Sequence, residues 1–311
     1  MAWSLSLIVV GMVFLFLGGE ALVKGAAHLA RALGLSPLVI GLSVVAFATS
    51  APELAVTVMA TLSDRDALAV GNAVGSNIAN VGLILGAAAL LGRVVAHRSF
   101  LRREVPFMIA VSASLWPVFA DGRMSRLEGL ALFATLFLFL WYLLRSGRRP
   151  ADIEELAAAP PLAVPLSSLL VALGVGLLVG GARVLVIGAV DIAVALGVSE
   201  RVIGLTMVAL GTSLPELASS LVAARRRQGE ILLGNIVGSN VFNILCVLGL
   251  AAAVRPLDVS WAAIHVDFWV MMAFSLLLLP ILHPRAYLGR LQGATLLVPY
   301  ALYIWWLFYR G

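Results

Sequence analysis

Shifted by 163 residues, this sequence repeats itself: Gly41 to Gly86 superpose on Gly204 to Gly249 without a gap, and 20 of the 46 positions are identical. The first copy reads GLSVVAFATSAPEL and then GNAVGSNIAN, and the second reads GLTMVALGTSLPEL and then GNIVGSNVFN. The likeness continues back to Gly18 and Gly19 against Gly180 and Gly181, with a one-residue gap before Gly34 and Gly197. A duplication on this scale means that the chain is two copies of one structural unit.

The residues between the motifs say which solvent the units fold in. The chain is 62% hydrophobic and 12% charged, with a mean hydropathy of +1.06, far from the composition of a soluble domain. A helix that crosses a bilayer needs about 20 predominantly apolar residues. Such runs recur at 5–31, 36–62, 67–92, 104–121, 125–145, 166–196, 201–224, 230–254, 261–282 and 289–309. The expectation is an all-α integral membrane protein of ten transmembrane helices, five in residues 1–145 and five in 166–311. Because five is odd, the second unit enters the membrane with the opposite orientation, so the halves form two inverted five-helix repeats. Inverted repeats of this kind place ion sites near the midplane, on broken helices. Residues 146–165, with an Arg-rich start, Asp152, Glu154, Glu155 and several prolines, read as a linker too short for a folded domain.

The net charge of +5 comes from 20 Arg and one Lys scattered over many loops, which points to membrane topology and not to nucleic acid. Counting Lys and Arg on alternate sides of the ten spans gives fourteen on the linker side and six on the other, with Arg183 inside a span. The positive-inside rule then makes the linker cytoplasmic and puts both termini outside the cytoplasm of a cell (inner) membrane. No basic residue precedes the first apolar run, so it reads as a retained span and not a cleaved signal. The single Cys246 lies in a span, where it has no intrachain disulfide partner.

Chemistry concentrates in the duplicated motifs. Thr49, Ser50 and Glu53 share one helical face, as do Thr212, Ser213 and Glu216. Pro52 and Pro215 lack an amide hydrogen and free backbone carbonyls near Ala48 and Gly211, which inside a membrane need a partner or a water-filled cavity. The following helices carry Asn72, Ser76 and Asn80, and Asn235, Ser239 and Asn243, at successive i+4 steps. Gly71 with Gly75, and Gly234 with Gly238, let helix backbones approach closely. Carboxylates cost at least about 2.5 kcal/mol in a bilayer, so two of them in a repeated motif mark a functional site. Two carboxylates with hydroxyl, amide and carbonyl oxygens make a set that a hard cation such as Ca2+, which takes 6 to 8 oxygens, can use.

The paired PEL and GSNxxN motifs resemble the two α-repeats of the Ca2+:cation antiporter superfamily, and most of all its prokaryotic sodium/calcium exchangers. The resemblance implies exchange of Na+ for Ca2+ by alternating access, with the long first and sixth helices moving against the rest. It implies Glu53 and Glu216 as shared ligands of Ca2+ and Na+, and backbone oxygens of Thr49 and Thr212 at the Ca2+ site. Ala46, Thr49 and Ser76, with Ala209, Thr212 and Ser239, would form flanking Na+ sites, and Asn80 and Asn243 would complete the centre. Ser50 and Ser213 join this set of candidate ligands by their place beside Thr49 and Thr212. Ala48 departs from the usual glycine. Asn243 stands where some relatives, notably potassium-dependent ones, have Asp, which argues against K+ co-transport.

Ca2+/H+ exchange through the same glutamates is the alternative, and a cation channel with a carboxylate ring a more distant one. An enzyme is not expected: there is no H-E-x-x-H spacing, and His28, His97, His265 and His283 are dispersed. The partners implied are the two ions and the lipid bilayer, with no cofactor, no nucleic acid and no obligatory protein partner. Glu20, Lys24 and His28, one turn apart on the first helix, with Asp191 in the aligned place of His28 in the sixth, read as a satisfied ion pair, a proton or gating role being the alternative, and Arg225 to Arg227 as a positive-inside anchor.

Overall fold

The computed structural model describes residues 2–146, 162–196, 209–282 and 287–310, and these are overwhelmingly helical. The first part of the chain forms α1 (Ala2–Leu33), α2 (Pro37–Ile40), a π-helical turn (Gly41–Val45), α3 (Ala46–Thr49), α4 (Ala51–Leu62) and α5 (Asp66–Ala79). A second π turn (Asn80–Leu85) leads into α6 (Gly86–Leu91), followed by β1 (Val94–Val95), α7 (Arg98–Ala113), α8 (Leu115–Phe119), β2 (Arg123–Met124) and α9 (Arg126–Ser146). The second part runs α10 (Val164–Ala195), α11 (Ala209–Thr212), α12 (Leu214–Arg225), α13 (Gly229–Phe242), a π turn (Asn243–Leu248) and α14 (Gly249–Val254). It ends with β3 (Leu257–Asp258), α15 (Trp261–Leu282), β4 (Tyr287–Leu288) and α16 (Arg290–Arg310).

Local chemistry explains the breaks. Ser36 caps α2 by accepting from the Val39 amide, with Pro37 in the first turn where its missing N–H costs nothing. At Ser50 the backbone leaves helical geometry (φ −80°, ψ 4°), and α4 restarts with Pro52 in its first turn. The two arms, Pro37–Thr49 and Ala51–Leu62, meet at 45°. Ser213 breaks the chain between α11 and α12 with nearly the same angles (φ −86°, ψ 2°), and Pro215 restarts it.

Among the described residues, six helical stretches qualify by length and apolarity as membrane spans: Ala2–Leu33, Asp66–Leu91, Arg126–Arg145, Val164–Ala195, Gly229–Val254 and Trp261–Leu282. The bent pair from Pro37 to Leu62 makes a seventh if its arms count as one span. Of the three expected segments that remain, 289–309 is the single helix α16, which is not among these six, and the other two differ for identifiable reasons. The segment at 104–121 is split between α7 and α8 at Ser114, and its helix begins with Arg98, Arg102, Arg103 and Glu104. Of 201–224, residues 201–208 lie outside the described residues.

The longest helices, α1 and α10, lie against each other along their lengths with backbones nearly touching. A Cβ added at Gly174 would come within 2.5 Å of the Leu22 amide nitrogen, and one at Gly18 within 2.8 Å of that of Leu178. Only a bare Cα fits at such crossings. Away from this seam both helices present exposed apolar side chains such as Leu5, Val9, Val13, Leu169 and Leu173, the surface a lipid environment calls for. At about 48 Å each, 32-residue helices exceed a hydrocarbon core of about 30 Å.

The loops pair at two places. Val94 and Val95 form a two-residue ladder with Leu288 and Tyr287, while Arg123 and Met124 pair with Asp258 and Leu257. Near the second ladder Arg255 holds Asp66, donates to Asp64 Oδ1 at 2.9 Å and donates to the Thr61 carbonyl at 2.8 Å. The ion pair expected at Glu20 is present, but its partners lie off α1: Glu20 is held by Arg225, at 3.1 Å, and by Arg226 at the end of α12. The packing of α12 against α1 brings these two arginines closer to Glu20 than its own helix brings Lys24, so they tie two helices together.

Candidate cation site

The two helix breaks meet at the centre of the bundle. Glu53 and Glu216 stand in the first turns of α4 and α12, where the positive end of each helix favours a carboxylate, and each is 1% exposed. Ser50, at the first break, donates to Glu216 Oε1 at 3.3 Å; Ser213, at the second, donates to Glu53 Oε1 at 3.3 Å. Each carboxylate is thus oriented by a hydroxyl from the other copy of the motif. Ser213 also lies 3.4 Å from the Ser76 hydroxyl.

Behind this pair, α5 and α13 supply asparagines. Asn72 Nδ2 donates to Thr57 Oγ1 at 3.0 Å and to the Glu53 carbonyl at 3.3 Å. Asn235 Nδ2 reaches Ser219 and Ser220 at 3.3 and 3.2 Å, and its Oδ1 accepts from Thr49 Oγ1 at 3.1 Å. Asn80 and Asn243 open the two π turns, and both are buried. π turns widen the helix locally and are frequent at functional sites. Gly234 and Gly238 let α13 approach the first broken helix, with an added Cβ at 2.7 Å from the Leu38 carbonyl and from Ala46 Cβ respectively. A Cβ added at Gly71 or Gly75 would meet nothing within 4 Å among the described residues, so the close backbone approach expected at this pair is not found there.

Five oxygens of this cluster are buried without a hydrogen-bond partner among the described residues: Glu53 Oε2, Glu216 Oε2, Asn80 Oδ1, Asn243 Oδ1 and Ser239 Oγ. Buried polar atoms are nearly always satisfied, and a carboxylate or amide oxygen is satisfied only by a donor or a cation. Among the described residues there is no group of three or more His, Cys, Asp and Glu that could hold a metal ion. The cluster is therefore of the hard type, two carboxylates among neutral oxygens, suited to Na+ or Ca2+ and ill suited to a soft transition metal.

Comparison with known proteins agrees with this chemistry. A family model described as "Sodium/calcium exchanger protein" matches residues 3–145 and again 166–309. The chain belongs to the sodium/calcium exchanger family. It is 39% identical over 310 residues to the "Putative antiporter CaxA" of Alkalimonas amylolytica, covering 97% of both chains. It is 37% identical over 285 residues to the "Inner membrane protein YrbG" of Escherichia coli, covering 89% of this chain and 88% of that one. Among solved structures, the sodium-calcium exchanger NCX_Mj soaked with zero Na+ and Ca2+ superposes with a TM-score of 0.87 at 31% identity, over 98% of this chain and 99% of that one. Sodium/calcium exchangers are membrane transporters, not enzymes, and the ions they carry are substrates, with no cofactor needed.

Of the residues the sequence singled out in this exchanger, Glu53, Glu216, Ser50, Ser213 and Ser76 are joined by direct contacts. Thr49, Thr212, Ser239, Asn80, Asn243 and Ala46 are buried, and Ala209 begins α11. The Ala46 carbonyl already accepts from the Ser50 amide at 3.0 Å and from Thr49 Oγ1 at 3.4 Å, so serving a cation requires it to give one of these up. Sequence reasoning missed Asn77 and Asn240. They stand in the GSNxxN motif itself, but one residue off the i+4 stripe that was followed.

Proposed function

We propose that this protein is a secondary antiporter of the inner membrane that exchanges Na+ for Ca2+ by alternating access, with Glu53 and Glu216 as the shared central ligands. The reading takes the chain as ten transmembrane helices in two inverted five-helix repeats, residues 1–145 and 166–311. Residues 146–165 then form a cytoplasmic linker, and both termini lie outside the cytoplasm. The observation that supports it most is the set of open buried oxygens on Glu53, Glu216, Asn80 and Asn243, gathered from both copies of one motif.

Two carboxylates give the centre a charge of −2 when ionised, which one Ca2+ neutralises and which two Na+ neutralise equally. That equality is the physical basis of exchange: an empty, doubly charged buried centre is costly, so the site turns over loaded with one ion type or the other. Thr49, Thr212, Ser76, Ser239, Ala46 and Ala209 would complete the flanking Na+ sites, with Ser50 and Ser213 holding the carboxylates in register. The glycine seam between α1 and α10 makes these two helices a single rigid pair, which moves against the rest to expose the site on alternate faces.

The test is Ca2+ uptake into vesicles of reconstituted protein under an imposed Na+ gradient, compared with an imposed pH gradient. Uptake driven by the Na+ gradient is expected. Uptake driven by the pH gradient alone would replace this reading with Ca2+/H+ exchange, and flux that persists without any counter-ion would replace it with a channel.

A further inference from the structure

Four asparagines, two from each copy of the motif, form a closed hydrogen-bonded clasp beside the cation site. Asn77 Nδ2 donates to the backbone carbonyl of Asn240 at 3.1 Å, and Asn240 Nδ2 to that of Asn77 at 3.5 Å. Asn243 Nδ2 donates to Asn77 Oδ1 at 3.1 Å, and Asn80 Nδ2 to Asn240 Oδ1 at 2.9 Å. All four residues are at most 1% exposed. Behind the clasp, Met108 Sδ lies 3.5 Å from Asn240 Nδ2 and Met271 Sδ 3.8 Å from Asn77 Nδ2. A thioether is only a weak acceptor, so neither competes with the carbonyls.

This ring has one polarity. A backbone carbonyl only accepts, so the groups of Asn77 and Asn240 that face it must be their NH2 groups, and the groups left to face Asn243 and Asn80 must be their oxygens. An oxygen there demands a donor, which turns the NH2 groups of Asn243 and Asn80 toward the clasp. Their Oδ1 atoms are what remain, and these two atoms are the buried amide oxygens without a partner among the described residues. The order of cause runs from a backbone carbonyl, through Asn77 or Asn240, to the atom offered to the ion.

We infer that Asn77 and Asn240 are positioning residues that set the polarity, and with it the charge, of the cation site. Each compels the residue at 243 or 80 from the other copy to offer oxygen inward, and to do so as a neutral group that keeps a donor for the clasp, here an amide. An ionised Asp at either position has no N–H for the clasp and would set oxygen against oxygen at about 3 Å in a buried place, a contact that costs more than a lost hydrogen bond. The clasp thereby holds the centre at the two carboxylates of Glu53 and Glu216, a match for one divalent ion. This inference rests on the reading of Asn80 and Asn243 as ligands.

The test is a pair of double-mutant cycles read by calorimetric Ca2+ affinity on the purified full-length protein. Asn77→Leu alone is expected to weaken Ca2+ binding about tenfold, because the Asn243 amide is then free to turn its NH2 to the ion. Combined with Asn243→Ala it should add nothing further, whereas combined with Asn80→Ala its effect should multiply in full. Asn240→Leu should show the opposite pattern, silent with Asn80→Ala and additive with Asn243→Ala. A merely structural role would not produce this crossed pattern. If Asn77→Leu fails to insert, Asn77→Ala goes through the same cycle. Equal additivity in both pairings, with Glu53→Gln and Glu216→Gln abolishing Ca2+ binding, would overturn the clasp alone. Undiminished Ca2+ binding in those two glutamine variants would instead overturn the site on which it rests.

Discussion

Ser50 donates its hydroxyl to the carboxylate of Glu216, a residue 166 positions away, at 3.3 Å, and Ser213 returns the same bond to Glu53. The reciprocity makes the two motifs one site: neither carboxylate is oriented by its own strand of sequence alone. It also gives the site a symmetry that mutation can exploit. Ser50→Ala and Ser213→Ala should each raise the Ca2+ concentration for half-maximal exchange by about three- to tenfold, since a hydrogen bond to a charged group is worth about 1.5 kcal/mol or more. Gradient-driven Ca2+ uptake in vesicles measures this. An effect in only one of the two serines would show that the carboxylates are not equivalent.

The two glutamates should cost the empty protein stability. Glu53→Gln and Glu216→Gln each remove one of two like charges held in a water-poor centre. The melting temperature without ions is expected to rise in each variant, while the stabilisation that Ca2+ confers on the native protein disappears, because an ion that binds only the folded state raises its stability by mass action. Thermal scans in detergent with and without Ca2+ decide it; a retained Ca2+ shift in both variants would exclude these residues as ligands.

At the α1 and α10 seam, Gly174→Val should be far worse than Gly176→Val, although the residues are two apart on one helix. The added Cβ at Gly174 meets the Leu22 backbone at 2.5 Å, and at Gly176 it meets nothing within 4 Å among the described residues. Overpacking against backbone is expected to cost about 1 to 3 kcal/mol or more and to lower exchange in proportion. Expression level, melting temperature and vesicle flux, measured on both variants side by side, test the contrast.

Glu20→Gln releases the tie between α1 and the end of α12. Because Arg225 and Arg226 are substantially exposed, the stability change is expected to stay within about 1 kcal/mol and to shrink in high salt. The rate of exchange should change more than the ion affinity, since the bond joins one of the proposed moving helices to the body that carries Glu216. A change confined to affinity would mean that Glu20 acts on the site and not on the motion.

What was legible in the sequence followed from rules that act locally or by repetition. The solvent followed from apolar runs, the two-unit plan from the shift that aligns Pro52 with Pro215, and the candidate ligands from carboxylates that have no cheap place in a bilayer. The family, named from PEL and GSNxxN, is the one the comparisons established.

What the sequence could not supply was every contact between the copies. Helical spacing says that Asn72, Ser76 and Asn80 share a stripe, but it assigns no partner across a helix interface, so Asn77, one step off the stripe, looked idle. The i+4 rule paired Glu20 with Lys24; the packing of α12 against α1 paired it with Arg225 and Arg226 instead. The choice of these residues and their spacing was a property of the one-dimensional chain. Which oxygen of each carboxylate is held, which atom of each amide is left open, and which charges meet depended on distances between segments more than 150 residues apart, and only the packed tertiary structure decides those.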